Sequence, residues 1–151
     1  MGNWLLAARR YDQPIQQLQN TLRIDPHAQT AHYLLGYALF LTGRSAEALR
    51  EFGLAGSTPP DILARLGRPA DARRRVGELM RERGRRYVDA TTIAGGYANL
   101  GDRDRAFSWL ESAYRDRSAW LLGVLFDQVF DSIRDDPRFQ ALTMAARRRK
   151  G

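Results

Sequence analysis

The sequence predicts an all-α fold, an α-solenoid of antiparallel helix hairpins that ends in a capping helix segment. Glycine-led helix starts recur along the chain, and two of them, Gly67 and Gly101, lie 34 residues apart. The residues before Pro26 repeat the pattern of those before Pro60, again at a spacing of 34 residues. Self-similarity at a period of about 34 residues indicates an array of stacked helix–turn–helix units.

The most complete repeat carries small and large apolar residues at fixed positions. These are Leu35, Gly36, Leu39, Gly43, Ala48, Phe52, Ala55 and Pro60. Their spacing resembles the tetratricopeptide repeat (TPR), which has an early Leu-Gly pair, a later Ala-x3-Phe pair and a final proline. The resemblance implies a helix hairpin that stacks on its neighbours and presents a surface, without performing chemistry.

We predict a single TPR-like domain with irregular units. From Gly43 to Gly67 the chain is only 24 residues long, ten short of the period. The third hairpin should therefore lack most of its first helix, and should either kink the stack or expose apolar surface. The first unit begins incomplete at Met1, as expected of a piece of a longer array or a protein whose end cap lies elsewhere. Pro14 is expected in a first helical turn, where its missing N–H has no cost. The predicted units are about 1–26 (incomplete), 27–60 (complete), 61–84 (shortened), 85–118 (complete) and 119–151 (cap).

The C-terminal segment is predicted to close the end of the array. Asp136 and Pro137 suit the N-cap and the first position of a final helix. Several aspartates lie nearby, but they lack the central glycine and twelfth-position glutamate of a calcium-binding loop. The apolar side chains expected to seal the last hairpin are Phe126, Phe130, Ile133, Phe139 and Leu142.

A narrower pattern covers about 65 residues from Tyr87 onward. Its most specific part reads Phe130-Asp131-Ser132-Ile133-Arg134-Asp135-Asp136-Pro137-Arg138-Phe139. This part resembles the C-terminal TPR tail of many bacterial signalling proteins, including serine/threonine kinases and winged-helix regulators. Ile133 and Gln128 depart slightly from the usual Leu and Pro. Kinase motifs are absent from the sequence, so the resemblance implies only a regulatory context.

Composition and histidine spacing exclude several function classes. The chain has 151 residues, a formal net charge of +7 and no cysteine, so neither a disulfide nor a thiolate metal site can form. His27 and His32 are not at the i, i+4 spacing of a helical metal pair. We interpret His32 as a packing residue and His27 as solvated. No apolar run approaches the roughly 20 residues of a membrane span. We therefore predict a non-enzymatic, cytoplasmic protein with no cofactor, metal or membrane partner.

A groove is the first candidate site, because the first helix of each hairpin lines a concave groove in TPR proteins. Aromatic residues there suit an apolar or extended peptide of a protein partner. An alternative, left equally open, is that Phe40 and Leu41 only pack against the neighbouring unit. The Lys/Asn clamp of chaperone-binding TPR domains has no counterpart at these positions. The resemblance implies the groove residues Tyr33, Tyr37, Phe40, Leu41, Thr91, Gly95 and Asn99.

A basic surface is the second candidate site. Residues 65–86 hold nine arginines against three acids, which gives +6 of the net +7. Such a face can bind RNA or an acidic partner, or can simply be solvated. Only Tyr87, at its edge, offers an aromatic ring for base stacking. The basic-patch residues are Arg73, Arg74, Arg75, Arg81, Arg85 and Arg86.

We therefore predict a protein-interaction scaffold or regulatory module. The alternative is binding of RNA or an acidic partner, and self-association through the incomplete hairpins is a third hypothesis.

Overall fold

A computed structural model describes residues 3–118, 121–125 and 127–149, with the backbone alone described at 3–10, 122 and 124. Within these ranges every regular element is a helix, which confirms the predicted all-α class. The chain divides into two compact units, Met1–Thr58 and Pro59–Gly151. Each unit has its own set of helices.

The described part of the first unit contains α1 (Asn3–Ile24), α2 (Gln29–Leu41) and α3 (Ser45–Leu54). Helix α1 runs through Pro14, so the expectation that this proline stands in a first helical turn is wrong. The residues before it are rich in Leu, Ala, Arg and Gln, which favour a helix. These residues extend α1 towards the N-terminus, although Pro14 has no backbone N–H to donate to the helix.

Helices α2 and α3 form the hairpin that carries the repeat motif. A Cβ at Gly36 would lie 3.0 Å from the ring of Phe52, so the glycine allows the two helices to approach closely. Phe52 and Ala48 are fully buried, and Leu35 and Leu39 of α2 are also buried. The Leu-Gly and Ala-x3-Phe positions of the motif therefore form the interior of this hairpin.

In its described residues, the second unit holds more helices than the first, and their average length is shorter. Its described elements are α4 (Pro60–Arg65), α5 (Pro69–Arg83), α6 (Ala90–Asn99), α7 (Arg103–Arg115), α8 (Leu121–Val124), a 3₁₀ helix (Gln128–Ile133) and α9 (Pro137–Arg148).

Helix α4 stands where the shortened first helix was expected, and it is only six residues long. Ile62 and Leu63 are nonetheless buried, so the second of the two expected outcomes, exposed apolar surface, is not found at these residues. A Cβ at Gly96 of α6 would lie 2.6 Å from Val76 of α5 and 3.0 Å from Pro60 of α4. Because position 96 has no side chain, α6 packs directly over α4 and α5 and covers the apolar residues of the short helix.

The C-terminal segment packs onto the last hairpin, as predicted. Phe130 and Ile133 of the 3₁₀ helix and Phe139 of α9 are buried in one cluster with apolar residues of α6 and α7. Leu142 is partly buried against the same cluster. Phe126, which was also predicted for this core, lies outside the described residues.

Aspartates begin the last two helical segments. Asp136 accepts a hydrogen bond from the backbone N–H of Arg138 at 3.0 Å, and Pro137 is the first helical residue, which confirms the predicted N-cap. Asp127 caps the 3₁₀ helix by accepting from the N–H of Val129 at 3.2 Å. These acids therefore serve helix ends.

Candidate functional site

The solvent side of α2 carries apolar and aromatic side chains. Helix α2 contains no Asp, Glu, Lys or Arg. Tyr33 and Leu34 are 43% and 49% exposed, and Tyr37, Phe40 and Leu41 are half-buried. Because Tyr33, Tyr37 and Leu41 recur every four residues, they follow one stripe of the helix. This face can receive an apolar segment but offers no cation to a carboxylate.

Tyr33 is positioned by the interior of its own hairpin. Its ring meets that of Phe52 edge to face, with the ring centroids 5.6 Å apart, which is a favoured aromatic geometry. Phe52 is fully buried, so it gives Tyr33 a fixed support while much of the tyrosine stays exposed. Phe40 and Leu41 are half-buried, so they contribute to packing as well as to the surface.

His32 is buried and hydrogen-bonded, which refines its interpretation as a packing residue. Its Nδ1 lies 2.7 Å from Oε2 of Glu51, and its Nε2 lies 3.0 Å from the carbonyl oxygen of Pro26. A carbonyl can only accept, so Nε2 donates. The hydrogen bond with Glu51, and then that with Pro26, raises the pKa of His32 above its usual 6.5. His27 is exposed, as the sequence predicts.

The predicted groove residues of α6 are used inside the second unit. Thr91 is buried, and its Oγ1 donates to Oδ1 of Asp89 at 2.6 Å. The side-chain amide of Asn99 donates to the carbonyl oxygens of Gly95 and Val129, at 2.9 and 2.7 Å. A Cβ at Gly95 would lie 2.8 Å from the side chain of Val129. The 3₁₀ helix therefore covers this face of α6, and the small residue at position 95 is the sequence signal of that contact.

Half of the predicted basic patch is paired with acids of the same segment. Arg74 donates to Asp71 at 2.6 Å, and Arg75 donates to Glu82 at 3.1 Å. Arg86 also pairs with Glu82. The hydrogen bond from Arg75 lowers the pKa of Glu82 below its ordinary value. These arginines therefore hold part of their charge in intramolecular pairs.

The other patch arginines, Arg73, Arg81 and Arg85, are exposed. Within the described part of the chain, none of these three forms an ion pair. The patch thus divides into a paired and an unpaired half, and only the unpaired half has its full charge available to a partner.

A cleft of about 730 Å³ in the second unit was not found by sequence reasoning. Helix α5 supplies Arg73 and Gly77, the end of α6 supplies Tyr97, the start of α7 supplies Arg103, and α9 supplies Arg138. We call it the arginine cleft. Its residues come from helices that are far apart in the sequence, so no local pattern indicates it.

Comparison with known proteins identifies the repeat type of part of the chain. Residues 1–62 match the family model described as tetratricopeptide repeat. The match confirms the TPR prediction for that part. No curated protein and no solved structure matches the chain. The resemblance of the C-terminal part to tails of bacterial signalling proteins stays a prediction.

Two further properties bear on the kind of site. Among the described residues, no helix combines the length and the apolar character that crossing a membrane requires. In the same residues, no group of three or more His, Asp or Glu side chains is placed to hold a metal ion.

Proposed function

We propose that this protein is a non-enzymatic interaction module that binds an apolar peptide segment of a protein partner along α2. TPR units are protein-interaction modules, and the family match includes α2. One observation carries the proposal. A helix without Asp, Glu, Lys or Arg keeps Tyr33 and Leu34 about half exposed, although covering such apolar surface is favourable.

The chemistry of α2 selects the class of partner segment. Aromatic rings bury a large area at low entropic cost, so Tyr33 and Tyr37 suit apolar side chains of an extended peptide. Phe40 and Leu41 extend the same face. Because α2 has no Lys or Arg, and because His32 is buried against Glu51, a free C-terminal carboxylate is not the feature recognised.

The binding face that we propose is confined to α2. Thr91 and Asn99 are outside it, because both side chains are engaged by hydrogen bonds within the second unit. Binding of RNA or an acidic partner through the whole 65–86 face stays a prediction. The internal pairs of Arg74, Arg75 and Arg86 lower the charge which that face can offer.

The wider organisation of the chain also belongs to this proposal. We propose that one domain spans 1–151, with an incomplete first unit at about 1–26, three successive repeat units in α2–α3, α4–α5 and α6–α7, and a cap at 119–151. The lengths of these helices support the proposed boundaries, including the shortened unit at 61–84. A regulatory role beside bacterial signalling proteins and a cytoplasmic location rest on the resemblance and the composition. Self-association remains a separate prediction.

The test compares partners captured from lysate of the source organism by four immobilised proteins. These are the wild type, Tyr33→Ala, Tyr37→Ala and the matched control Tyr87→Ala, which removes a tyrosine that is 72% exposed on the other unit. Capture is repeated after nuclease treatment and at two salt concentrations, and circular dichroism checks each fold. We expect a protein that the wild type and Tyr87→Ala retain and that both α2 variants lose. If no captured protein depends on Tyr33 or Tyr37, the proposal is wrong.

A further inference from the structure

The acids of the arginine cleft are already partnered. Asp102 accepts a hydrogen bond from the backbone N–H of Arg105 at 3.1 Å, and its other carboxylate oxygen lies 3.5 Å from Nε of the same arginine. Asp104 accepts from Arg138 at 2.8 Å. Arg138 pairs as well with Asp136, at 3.0 Å. The two carboxylates that line the cleft are therefore engaged by arginines of the cleft itself.

Two guanidinium groups of the cleft lack such a carboxylate. Arg103 donates to the carbonyl oxygen of Ser132 at 3.1 Å, which satisfies one N–H, and it forms no ion pair in the part of the chain that the structure describes. Arg73 is exposed and forms no ion pair within the described ranges. The lining contains four arginines and two aspartates, so the excess of positive charge belongs to this pair.

Gly77 gives the cleft space that packing does not require. It stands inside α5, where glycine weakens a helix relative to alanine. A Cβ at this position would meet only the guanidinium of Arg81, at 3.5 Å, which is an ordinary contact. By contrast, a Cβ at Gly96 would lie 2.6 Å from Val76. Close packing thus explains glycine at position 96 but not at position 77, where its effect is to widen the cleft.

We propose that the arginine cleft binds an acidic segment of a protein partner. Carboxylates of the segment pair with Arg73 and Arg103, and a neighbouring apolar side chain lies against Gly77. Arginine forms bidentate hydrogen bonds with carboxylates, and opposite charge speeds encounter with an acidic partner. The site belongs to the second unit and does not rest on the function proposed for α2.

The same cleft is less suited to a nucleic acid. The carboxylates of Asp102 and Asp104 lie in its lining and occupy Arg105 and Arg138, so a continuous phosphate backbone cannot pair with all four arginines of the cleft. The guanidinium of Arg105 lies 5.6 Å from the ring centroid of Tyr97, on which a base would otherwise stack. An acidic peptide can place single carboxylates at Arg73 and Arg103 and avoid the aspartates.

The experiment uses random dodecapeptides displayed on phage and the full-length protein. The library is first depleted on the Arg73→Glu variant and then selected on the wild type, which removes peptides that bind α2. One selected peptide is synthesised with a fluorescent label. Its Kd is measured by anisotropy for the wild type, Arg103→Gln, Gly77→Met and the control Arg85→Gln. Arg85 is an exposed arginine of the same patch outside the cleft, and circular dichroism checks that every variant folds.

We expect the selected peptides to be rich in Asp and Glu with an apolar residue between them. Arg103→Gln and Gly77→Met should each weaken binding about tenfold or more, while Arg85→Gln should change Kd by less than about twofold at about 0.15 M salt. The proposal is overturned if no peptide survives depletion, if the survivors are not acidic, or if Arg103→Gln and Arg85→Gln bind alike. It is also overturned if a single-stranded RNA displaces the peptide and binds more tightly.

Discussion

Asp61 gives the sharpest test of the packing around α4. Its residue surface is only 7% exposed, in the first turn of the helix. Its Cβ lies 3.8 Å from the position that a Cβ of Gly95 would occupy, so α6 covers it. Burial raises the pKa of Asp61 to about 6, and the negative charge of Asp127 adds to the rise. The N–H groups of Asp61 and Ile62 and the charge of Arg65 act in the opposite direction and do not offset burial.

The magnitude of the effect follows from linkage between ionisation and folding. The ordinary pKa of the carboxyl is 3.8 and the folded value is about 6. Each unit of difference between the folded and unfolded pKa corresponds to about 1.4 kcal/mol. Ionised Asp61 therefore costs the folded state up to about 3 kcal/mol. The cost is absent below about pH 4, where the carboxyl is neutral in both states. It grows as the pH rises and is complete above about pH 6.

Asp61→Asn is expected to remove this cost, because the amide is neutral and keeps one oxygen acceptor for the backbone N–H groups. At about pH 7 the variant should be more stable than the wild type by about 1–3 kcal/mol, and at about pH 4 the two should be nearly equal. The assay is urea unfolding of both proteins, followed by far-ultraviolet circular dichroism at several pH values. Measurement of the Asp61 carboxyl resonance by NMR against pH gives the pKa directly.

Asp89→Asn is the control and should have the opposite sign. Burial by itself would raise the pKa of Asp89, but hydrogen bonds from Ser118, Thr91 and Tyr87 together lower it. The folded state therefore favours the ionised carboxylate, and the asparagine variant should lose about 1 kcal/mol at about pH 7. The loss should shrink as the pH falls. If Asp61→Asn is less stable than the wild type at neutral pH, or if its advantage does not change with pH, the reasoning about burial is refuted.

Two further predictions concern the α2–α3 hairpin. Gly36→Ala should destabilise the protein by about 1–3 kcal/mol, because the new Cβ would lie 3.0 Å from the ring of Phe52. Gly53→Ala has nothing within 4 Å of its Cβ and should stabilise α3 by up to about 1 kcal/mol, so equal urea midpoints for the two variants would contradict the packing argument. Glu51→Gln should lower the pKa of His32 towards 6.5, as measured by NMR. Because the folded pKa of His32 is raised, its contribution to stability is fully present below about pH 6.5 and is lost as the pH rises through the folded pKa. An unchanged pKa of His32 in Glu51→Gln would contradict this assignment.

The sequence could predict the features that depend on local chemistry. Gly67 and Gly101 both have positive φ, of 72° and 81°. They end the turns that follow α4 and α6, so the same turn recurs at the spacing that the sequence shows. Asp136 and Pro137 start a helix wherever the surrounding chain allows one. The aromatic stripe of α2 could also be predicted, because its residues share one helix and recur every four positions.

The features that the sequence could not predict depend on contacts between distant residues. Val129 meets Gly95, and Asn99 donates to the carbonyl of Val129, so the covered face of α6 exists only in the folded unit. The arginine cleft likewise combines residues from α5, α6, α7 and α9. The position of Pro14 inside α1 differs from the prediction for another reason. A proline indicates a helix start only when the residues before it do not themselves favour a helix.

The two units offer different chemistry to a binding partner. In the second unit, hydrogen bonds of Asn99 and packing of Val129 already use the α6 positions that a TPR groove would offer to a peptide. What that unit presents instead is the charged lining of the arginine cleft, whereas α2 in the first unit presents aromatic side chains and no charge. Salt should therefore separate the two sites. Binding at the cleft weakens as ionic strength rises, because its gain is electrostatic. Burial of apolar area on α2 does not depend on charge and should persist.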